Sequence, residues 1–339
     1  PEAVAERAGV DADTIRTLAR EHAAAESAAI YARIGICQQE TGTLVSWLVM
    51  VINTVTGNLD RPGGTMFSTP IVDAPRLAKR LPLKHGKFTD RSGRYKSFRS
   101  ELPAVAMAEE ILTPGDGQIR AMITYAGNPV SSIPQNGRLD EAMSTLDLYV
   151  AVDMYVTETS RHADFILPPV SPLERADVSL LTTVFSVRNN VRYQHRSFAP
   201  PAGAKEDWEI LTRLALELLP TPLRRMPAAL RSRLIDAINP MRVATLVLAT
   251  GPYGRLRRGR NGITMNDLRS SQGGLDLGPL QPRLREVIAT RDRKVALAPA
   301  EFVQAAAAYL REPADRAERT YDLQLIGRRQ LRSNNSWLH

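Results

Sequence analysis

Two polar groups follow two apolar runs of strand length in the middle of the chain. Gly127-Asn128-Pro129 follows residues 119–126, and Asp153 ends residues 148–153. Glycine, asparagine and proline end a strand with turn chemistry, and a carboxylate accepts hydrogen bonds from the N–H groups of a ligand. If the two runs are parallel neighbours, both groups lie at the carboxyl edge of one sheet, where open α/β sheets bind ligands. The spacing therefore predicts a binding site at that edge.

The residues between the two runs must form the connection that places them side by side. Leu139, Ala142, Met143 and Leu146 recur at helical spacing, which predicts an amphipathic helix. A strand, a helix and a second strand in this space predict a parallel pair.

A similar pattern near the start predicts a second unit of the same kind. Residues 28–34 are typical of a strand, residues 35–42 of a loop and residues 43–55 of a buried helix. Gly35 and Gln38 then follow the strand's carboxyl end, and Cys37 between them is expected to be a small buried residue. The fold class predicted is α/β, with two Rossmann-like αβα lobes of mainly parallel sheet and a helical region after them.

Composition narrows the function classes. The 339 residues are 43% hydrophobic and 24% charged, with a net charge of +8 and a single cysteine. One cysteine excludes internal disulfides, thiolate zinc sites and cysteine-held iron–sulfur clusters within this chain. No apolar run reaches the length of a membrane span. Residue 1 is not Met and no signal peptide follows it, so an internal piece of a longer protein is expected, with a cytoplasmic location unless an export signal precedes it.

Several further motifs lie along the chain: Gly127-Asn128-Pro129, Asp153 with Thr157-Glu158-Thr159, residues 163–168, Glu174, Thr56-Gly57-Asn58, Arg61-Pro62-Gly63-Gly64 and residues 333–337. Together they resemble the molybdopterin oxidoreductases of the dimethyl sulfoxide reductase family, which includes formate dehydrogenases and nitrate reductases. The resemblance covers nearly all of the chain. It departs after Glu174, where Ala176-Asp177 stands in place of the family's usual Glu-Gly.

The resemblance implies a cofactor and a set of residues that bind it. The cofactor is molybdenum or tungsten held by two molybdopterin guanine dinucleotides, with any iron–sulfur cluster outside this chain. Asp153, with Thr157 beside it, is the candidate for the donor edge of guanine. The turns at Gly35 and Gly127 are candidates for the pyrophosphates, and Gln38 and Asn128 for ribose and pterin. Pro129 and Arg175 complete the candidate set; no residue is assigned as catalytic or as a metal ligand.

The resemblance also implies how the chain is divided. Residues 1–75 end a first αβα lobe, 76–175 form the second, 176–318 are mostly helical, and 319–339 begin a carboxy-terminal dinucleotide-binding domain that is cut off before its barrel. The expected function is the cofactor-binding middle of an oxidoreductase. Its substrate would be a small molecule such as formate, nitrate or a sulfoxide, with an electron-transfer partner, and the fragment alone would not turn over.

Two alternatives remain open at this stage. One is a redox-inert relative that resembles the large iron–sulfur subunit of respiratory complex I. The other is a basic nucleic-acid-binding module that uses residues 84–99 and 255–260. Since no aromatic residues interleave with the arginines of 255–260, an exposed loop is favoured there and nucleic acid is not expected as a partner.

Overall fold

The computed structural model describes residues 1–37, 39–72, 85–98, 100–134, 136–180, 182–220 and 225–311. Two compact units divide the described chain. The first comprises Pro1–Thr69, Val184–Asn189 and the described residues from Leu277 onward, and the second comprises the described residues of 70–183 and 190–276. None of the described helices is long and apolar enough to cross a membrane. The four-part division expected from the sequence stays a prediction.

The helices and strands are numbered here in chain order. The α-helices are α1 Glu2–Ala8, α2 Ala12–Ala24, α3 Ile34–Cys37, α4 Gly42–Val55, α5 Met107–Leu112, α6 Pro129–Ser132, α7 Asn136–Ser144, α8 Asp207–Glu217, α9 Ala228–Ala237, α10 Pro240–Thr250, α11 Arg255–Arg258, α12 Met265–Ser270, α13 Leu284–Val287 and α14 Ala300–Arg311. The strands are β1 Ala121–Tyr125, β2 Leu148–Val152, β3 Phe165–Ile166, β4 Asp177–Val178, β5 Arg188–Val191, β6 Tyr193–Gln194 and β7 Leu275–Pro279.

A parallel sheet in the order β1-β2-β3 organises the second unit. Ala121 pairs with Leu148 and Tyr125 with Val152, so β1 and β2 are parallel as the sequence predicts. β3 adds to the other side of β2, also in parallel. The α/β fold class is therefore confirmed.

The core of this unit lies between the sheet and the helices that cover it. α7 buries Leu139, Ala142 and Met143 in one cluster with Tyr149 and Ala151 of β2, which is the apolar stripe that predicts the helix. β2 is buried along its length except at Leu148, whereas β1 alternates between half-buried and exposed residues. The central strand thus anchors the sheet, and its carboxyl end is held in place by the core.

The first unit departs from the sequence prediction. Residues 28–33 form neither helix nor strand, and Ile34 begins α3 rather than ending a strand. The side chain of Asn53 accepts from the N–H of Ile30 at 2.9 Å and donates to the C=O of Ile30 at 2.9 Å. A neighbouring strand would have offered the same two partners, and the described residues of this unit place none beside Ile30.

Two further expectations in the first unit are wrong. The helix predicted at 43–55 is present as α4, but Leu48, Met50 and Val55 on it are exposed, so it is not buried all round. Cys37 is exposed rather than a buried filler. Burial of α3 and α4 requires neighbouring elements that cover them, and residues 28–33 do not supply a strand for that purpose.

Candidate functional site

A cleft of about 590 Å³ lies at the carboxyl ends of β1 and β2 in the second unit. Four segments form its walls: the turn after β1, the segment after β2, the prolines after β3 with Arg175, and the start of α8. The lining residues are Tyr125, Ala126, Gly127, Asn128, Val152, Asp153, Met154, Tyr155, Val156, Thr157, Glu158, Pro169, Val170, Pro172, Arg175 and Asp207.

Five of the eight candidate residues line this one cleft: Gly127, Asn128, Asp153, Thr157 and Arg175. The other three lie elsewhere. Pro129 is the first residue of α6 and does not line the cleft. Gly35 lies in α3 of the first unit, and Gln38 lies outside the described residues.

The turn after β1 is built around a residue with an unusual backbone. Ala126 has a φ of 49°, in the left-handed region that side chains other than glycine seldom adopt. Its N–H donates to the C=O of Val152 at 3.0 Å, which continues the pairing of β1 with β2 by one residue. The chain then turns through Gly127 and Asn128 into α6, whose first residue is a proline.

The side chain of Asn128 ties this turn to the segment after β2. Its Oδ1 accepts from the hydroxyl of Thr159 at 2.7 Å, and its Nδ2 donates to Oε2 of Glu158 at 2.6 Å. The hydroxyl of Thr159 in turn accepts from the N–H of Val130 at 3.0 Å. Most of the hydrogen-bonding capacity of Asn128 is therefore used within the protein, and one N–H of its amide remains for a ligand.

Thr157 shapes the segment after β2. Its N–H donates to the hydroxyl of Ser160 at 2.7 Å, and its own hydroxyl accepts from the N–H of Ser160 at 3.2 Å. This reciprocal pairing fixes a tight turn in the way a capping box does. The turn spans Thr157 to Ser160 and therefore includes Glu158.

Asp153 keeps a carboxylate oxygen available to the cleft. Its Oδ1 accepts from the N–H of Tyr155 at 3.3 Å, and among the described residues Oδ2 has no hydrogen-bond partner. Asp153 also affects Tyr149. Burial raises the pKa of the Tyr149 hydroxyl, and the negative charge of Asp153 raises it further. A half-buried carboxylate with an unshared oxygen is an acceptor for a ligand that carries N–H groups.

Asp207 forms the opposite wall with Arg175 and Tyr125. Its Oδ2 accepts from Nη1 of Arg175 at 2.6 Å and from the hydroxyl of Tyr125 at 2.6 Å, and its Oδ1 accepts from the N–H of Trp208 at 2.8 Å. Burial alone raises the pKa of Asp207, but the bonds from Tyr125 and Arg175 outweigh it and hold the pKa below its usual value. The bond to Asp207, with burial, raises the pKa of Tyr125.

Tyr125 and Asp207 line the cleft but are not among the residues expected from the sequence. Tyr125 ends a strand that was predicted, so its place beside the cleft could have been inferred from that strand. Asp207 lies 32 residues after Arg175 at the start of a helix, where a carboxylate has an ordinary role at the helix N-terminus. No local signal distinguishes it from such a residue.

The cleft combines carboxylate acceptors with apolar side chains. Asp153 lines the cleft together with the apolar residues Val152, Val156 and Val170, and a flat ring with an N–H edge binds where acceptors and apolar side chains occur together. Within the described residues no group of three or more His, Cys, Asp or Glu side chains could hold a metal ion.

Comparison with known proteins agrees with the motifs. A family model described as molybdopterin oxidoreductase matches residues 7–217. The assimilatory nitrate reductase catalytic subunit of Bacillus subtilis (strain 168) is 29% identical over 238 residues, which cover 63% of this chain and 32% of that protein. A trimethylamine-N-oxide reductase of Salmonella typhi is 31% identical over 196 residues, which cover 50% of this chain and 22% of that protein.

A solved structure is similar in fold. It is acetylene hydratase from Pelobacter acetylenicus, and the match has a TM-score of 0.58 and 16% sequence identity. The match covers 88% of this chain and 42% of the hydratase chain. The matches cover 32% of the nitrate reductase subunit and 22% of the trimethylamine-N-oxide reductase, so this chain spans a third or less of each of those curated relatives. Because the family model covers more than half of its residues, this chain belongs to the molybdopterin oxidoreductase family.

Proposed function

We propose that this chain is the nucleotide-binding middle part of a molybdopterin oxidoreductase, and that the cleft holds the guanosine end of a molybdopterin guanine dinucleotide. The observation that carries the proposal is Asp153, which presents an unshared carboxylate oxygen at the carboxyl end of a buried strand. Open parallel sheets bind their ligands at that edge.

Guanine and adenine differ at the edge that such a carboxylate meets. Guanine offers two parallel donors, N1–H and the N2 amino group, whereas adenine has an acceptor at N1. An ionised carboxylate accepts both guanine bonds and repels the adenine acceptor. Asp153 would therefore select guanine, with Thr157 shaping the loop beside it and the turn at Gly127 close to the ribose and phosphates.

The cofactor supplies the redox chemistry when it is bound, which for this family is a two-electron reaction on a small molecule. The residues of this chain bind the nucleotide and orient it. Nitrate and trimethylamine N-oxide are the substrates named for the relatives. A small oxyanion or N-oxide is therefore a candidate substrate for the whole protein. A second protein would exchange electrons with the whole protein.

The test compares guanosine with adenosine on the full chain purified from cells that do not make molybdopterin. Isothermal titration of the wild type should show a preference for guanosine, and Asp153→Ala should reduce guanosine affinity about ten- to hundredfold because a hydrogen bond to a charged group is worth roughly 1.5–3 kcal/mol. Adenosine affinity should not fall. Asp153→Asn should also lose the preference, since its amide can accept only one of the two bonds.

The matched control is Asp164→Asn. The carboxylate of Asp164 accepts a hydrogen bond from the N–H of Tyr149, near the amino end of β2 and away from the cleft. This variant should keep the guanosine preference. Equal affinity of the wild type for both nucleosides, or an unchanged preference in Asp153→Ala, would show that the guanine pocket lies elsewhere.

A further inference from the structure

Residues 85–98 form a basic hairpin that the proposed function leaves unused. The N–H of Asp90 donates to the C=O of Tyr95 at 2.9 Å, and Thr89 lies opposite Lys96 in an antiparallel bridge. The hairpin does not line the nucleotide cleft. A stretch that looks like a basic loop in the sequence is therefore a folded element with two defined faces.

The two faces of the hairpin differ in burial. Side chains alternate across an extended arm, so the pairing of Thr89 with Lys96 places every second residue of both arms on one face. The four side chains of this outward face are all exposed: Lys87, Thr89, Lys96 and Phe98. The opposite face carries Asp90 and Ser97, which are buried. The hairpin thus lies on the protein with one face and presents the other to solvent.

The outward face carries positive charge without a carboxylate to balance it. Asp90 is the one acidic residue of the hairpin, and it is turned inward, where its carboxylate accepts from the N–H groups of Tyr95 at 2.6 Å and Ser92 at 3.2 Å. Within the part of the chain that the structure describes, Lys87 and Lys96 have no ion-pair partner. Both ammonium groups are therefore available to an anionic partner.

Arg91 fixes the hairpin to the rest of the second unit. Its guanidinium donates to the C=O groups of Thr113 at 2.8 Å, Asp116 at 3.0 Å and Pro114 at 3.2 Å, just beyond the end of α5. Its N–H donates to Oε1 of the buried Glu110 at 2.7 Å. A partner that binds the outward face meets a surface that is already ordered, which lowers the entropy lost on binding.

An exposed aromatic ring accompanies the two lysines. The side chain of Phe98 is 61% exposed, and the ring of His85 packs against it edge-to-face with centroids 5.6 Å apart. Protein interfaces commonly combine an aromatic anchor with a charged rim. Single-stranded nucleic acid instead needs a row of rings on which successive bases stack, and this face offers one large exposed ring.

We propose that the outward face of the hairpin is a docking surface for an acidic protein. Carboxylates of the partner pair with Lys87 and Lys96, and an apolar side chain between them covers Phe98. Because this surface is separate from the nucleotide cleft, the proposal goes beyond the proposed function and does not depend on it.

The experiment uses a probe with the chemistry of such a partner, a fluorescein-labelled peptide of glutamates with interspersed leucines. Its binding to the full chain is followed by fluorescence anisotropy. The wild type should bind it, with an affinity that falls as salt rises from about 0.05 to 0.5 M. A peptide with glutamine in place of every glutamate should bind far more weakly.

Two variants remove the two parts of the surface. The double variant Lys87→Gln, Lys96→Gln should weaken binding of the acidic peptide about two- to thirtyfold, the range for the loss of two exposed charge pairs. Phe98→Ala should weaken it about five- to thirtyfold, as expected for an aromatic anchor. The loss in Phe98→Ala should persist at high salt, because salt screens charges and not apolar contact.

The matched control is the double variant Arg257→Gln, Arg260→Gln, which removes the same two charges from the basic cluster on α11 and the turn after it. It should bind the acidic peptide as the wild type does. A second check is Glu101→Gln. The backbone of Glu101 pairs with Phe98 at the open end of the hairpin, so loss of its negative charge should strengthen binding, by up to about fivefold.

Equal losses in the lysine and arginine double variants would show attraction to net charge alone, and the proposal would be wrong. Tighter binding of single-stranded oligothymidylate than of the peptide, lost in the lysine variant, would make the hairpin a nucleic-acid surface and also overturn the proposal. Guanosine binding should be the same in all of these variants and the wild type, so failure of the docking surface leaves the proposed function untouched.

Discussion

The two aspartates of the cleft have different roles because their partners differ. Asp207 accepts three hydrogen bonds from within the chain, two of them from side chains that can also reach the ligand space. Asp153 accepts one hydrogen bond, from the N–H of Tyr155 at 3.3 Å. A carboxylate saturated by the protein positions its donors, whereas one with an unshared oxygen is available to a ligand.

The lowered pKa of Asp207 predicts how stability depends on pH. A carboxyl group whose pKa is lower in the folded state adds stability above its unfolded value, near 3.9, and loses that contribution as the pH falls through the folded value. Asp207→Asn lacks this titration. The wild type should exceed the variant by about 1–3 kcal/mol in free energy of unfolding at pH 7, and this gap should shrink below about pH 4.

Urea unfolding at a series of pH values measures the gap. The difference between the two proteins should be constant between about pH 5 and 7, where Asp207 is ionised in both folded and unfolded states. If the difference in free energy of unfolding does not shrink below about pH 4, the hydrogen bonds from Tyr125 and Arg175 do not lower the pKa of Asp207.

At the scale of elements, β2 positions the site. It is paired on both sides and covered by α7, so the residues that follow its carboxyl end start from a fixed point. Among the described strands β1 pairs with β2 alone, and Ile123 and Tyr125 on it are exposed. The cleft therefore combines one wall set by the core with another set by the side-chain network of Asp207.

Met143 on α7 tests this dependence on the core. Its side chain is 1% exposed and packs in the cluster that covers β2, so Met143→Ala should lower the free energy of unfolding by about 2–5 kcal/mol through lost burial and a residual cavity. Met50→Ala on α4, where the side chain is 45% exposed, is the control and should cost far less. Comparable losses in the two variants, measured by urea unfolding, would contradict this account of the core.

At the scale of the whole molecule, the net charge of +8 leaves the nucleic-acid alternative to be tested. Its strongest cluster is Arg255, Arg257, Arg258 and Arg260 on α11 and the turn after it. Arg258 is already engaged: its Nε donates to the C=O of Pro252 at 2.9 Å, and its guanidinium lies 4.8 Å from the ring centre of Tyr253. The cluster thus has fewer free cations than its sequence indicates.

We expect no binding of duplex DNA at physiological salt. A fluorescence titration with a short labelled duplex at about 0.15 M salt should not saturate below about 100 μM, the weak end of non-specific binding. Guanosine monophosphate added to the same protein serves as the positive control. Tight, salt-dependent DNA binding that is lost in Arg257→Glu would favour the nucleic-acid module.

The sequence by itself determined the parallel pair, the helix between its strands and the edge on which polar residues converge. These features depend on local periodicity and turn chemistry, because a strand alternates, a helix repeats and a glycine–proline turn stops either one. Those patterns place Gly127, Asn128 and Asp153 at one edge, and the family resemblance adds Thr157 and Arg175; all five line one cleft.

Only the tertiary structure decided which partners these residues have. The bond between Arg175 and Asp207 joins positions 32 residues apart, and the bond from Tyr125 to Asp207 joins positions 82 apart. The pairing of Asn53 with Ile30 replaces a strand that local pattern predicts. Periodicity shows which face of a helix or strand is apolar. Hydrogen bonds between side chains far apart in sequence depend instead on how the helices and strands pack, which no local pattern determines.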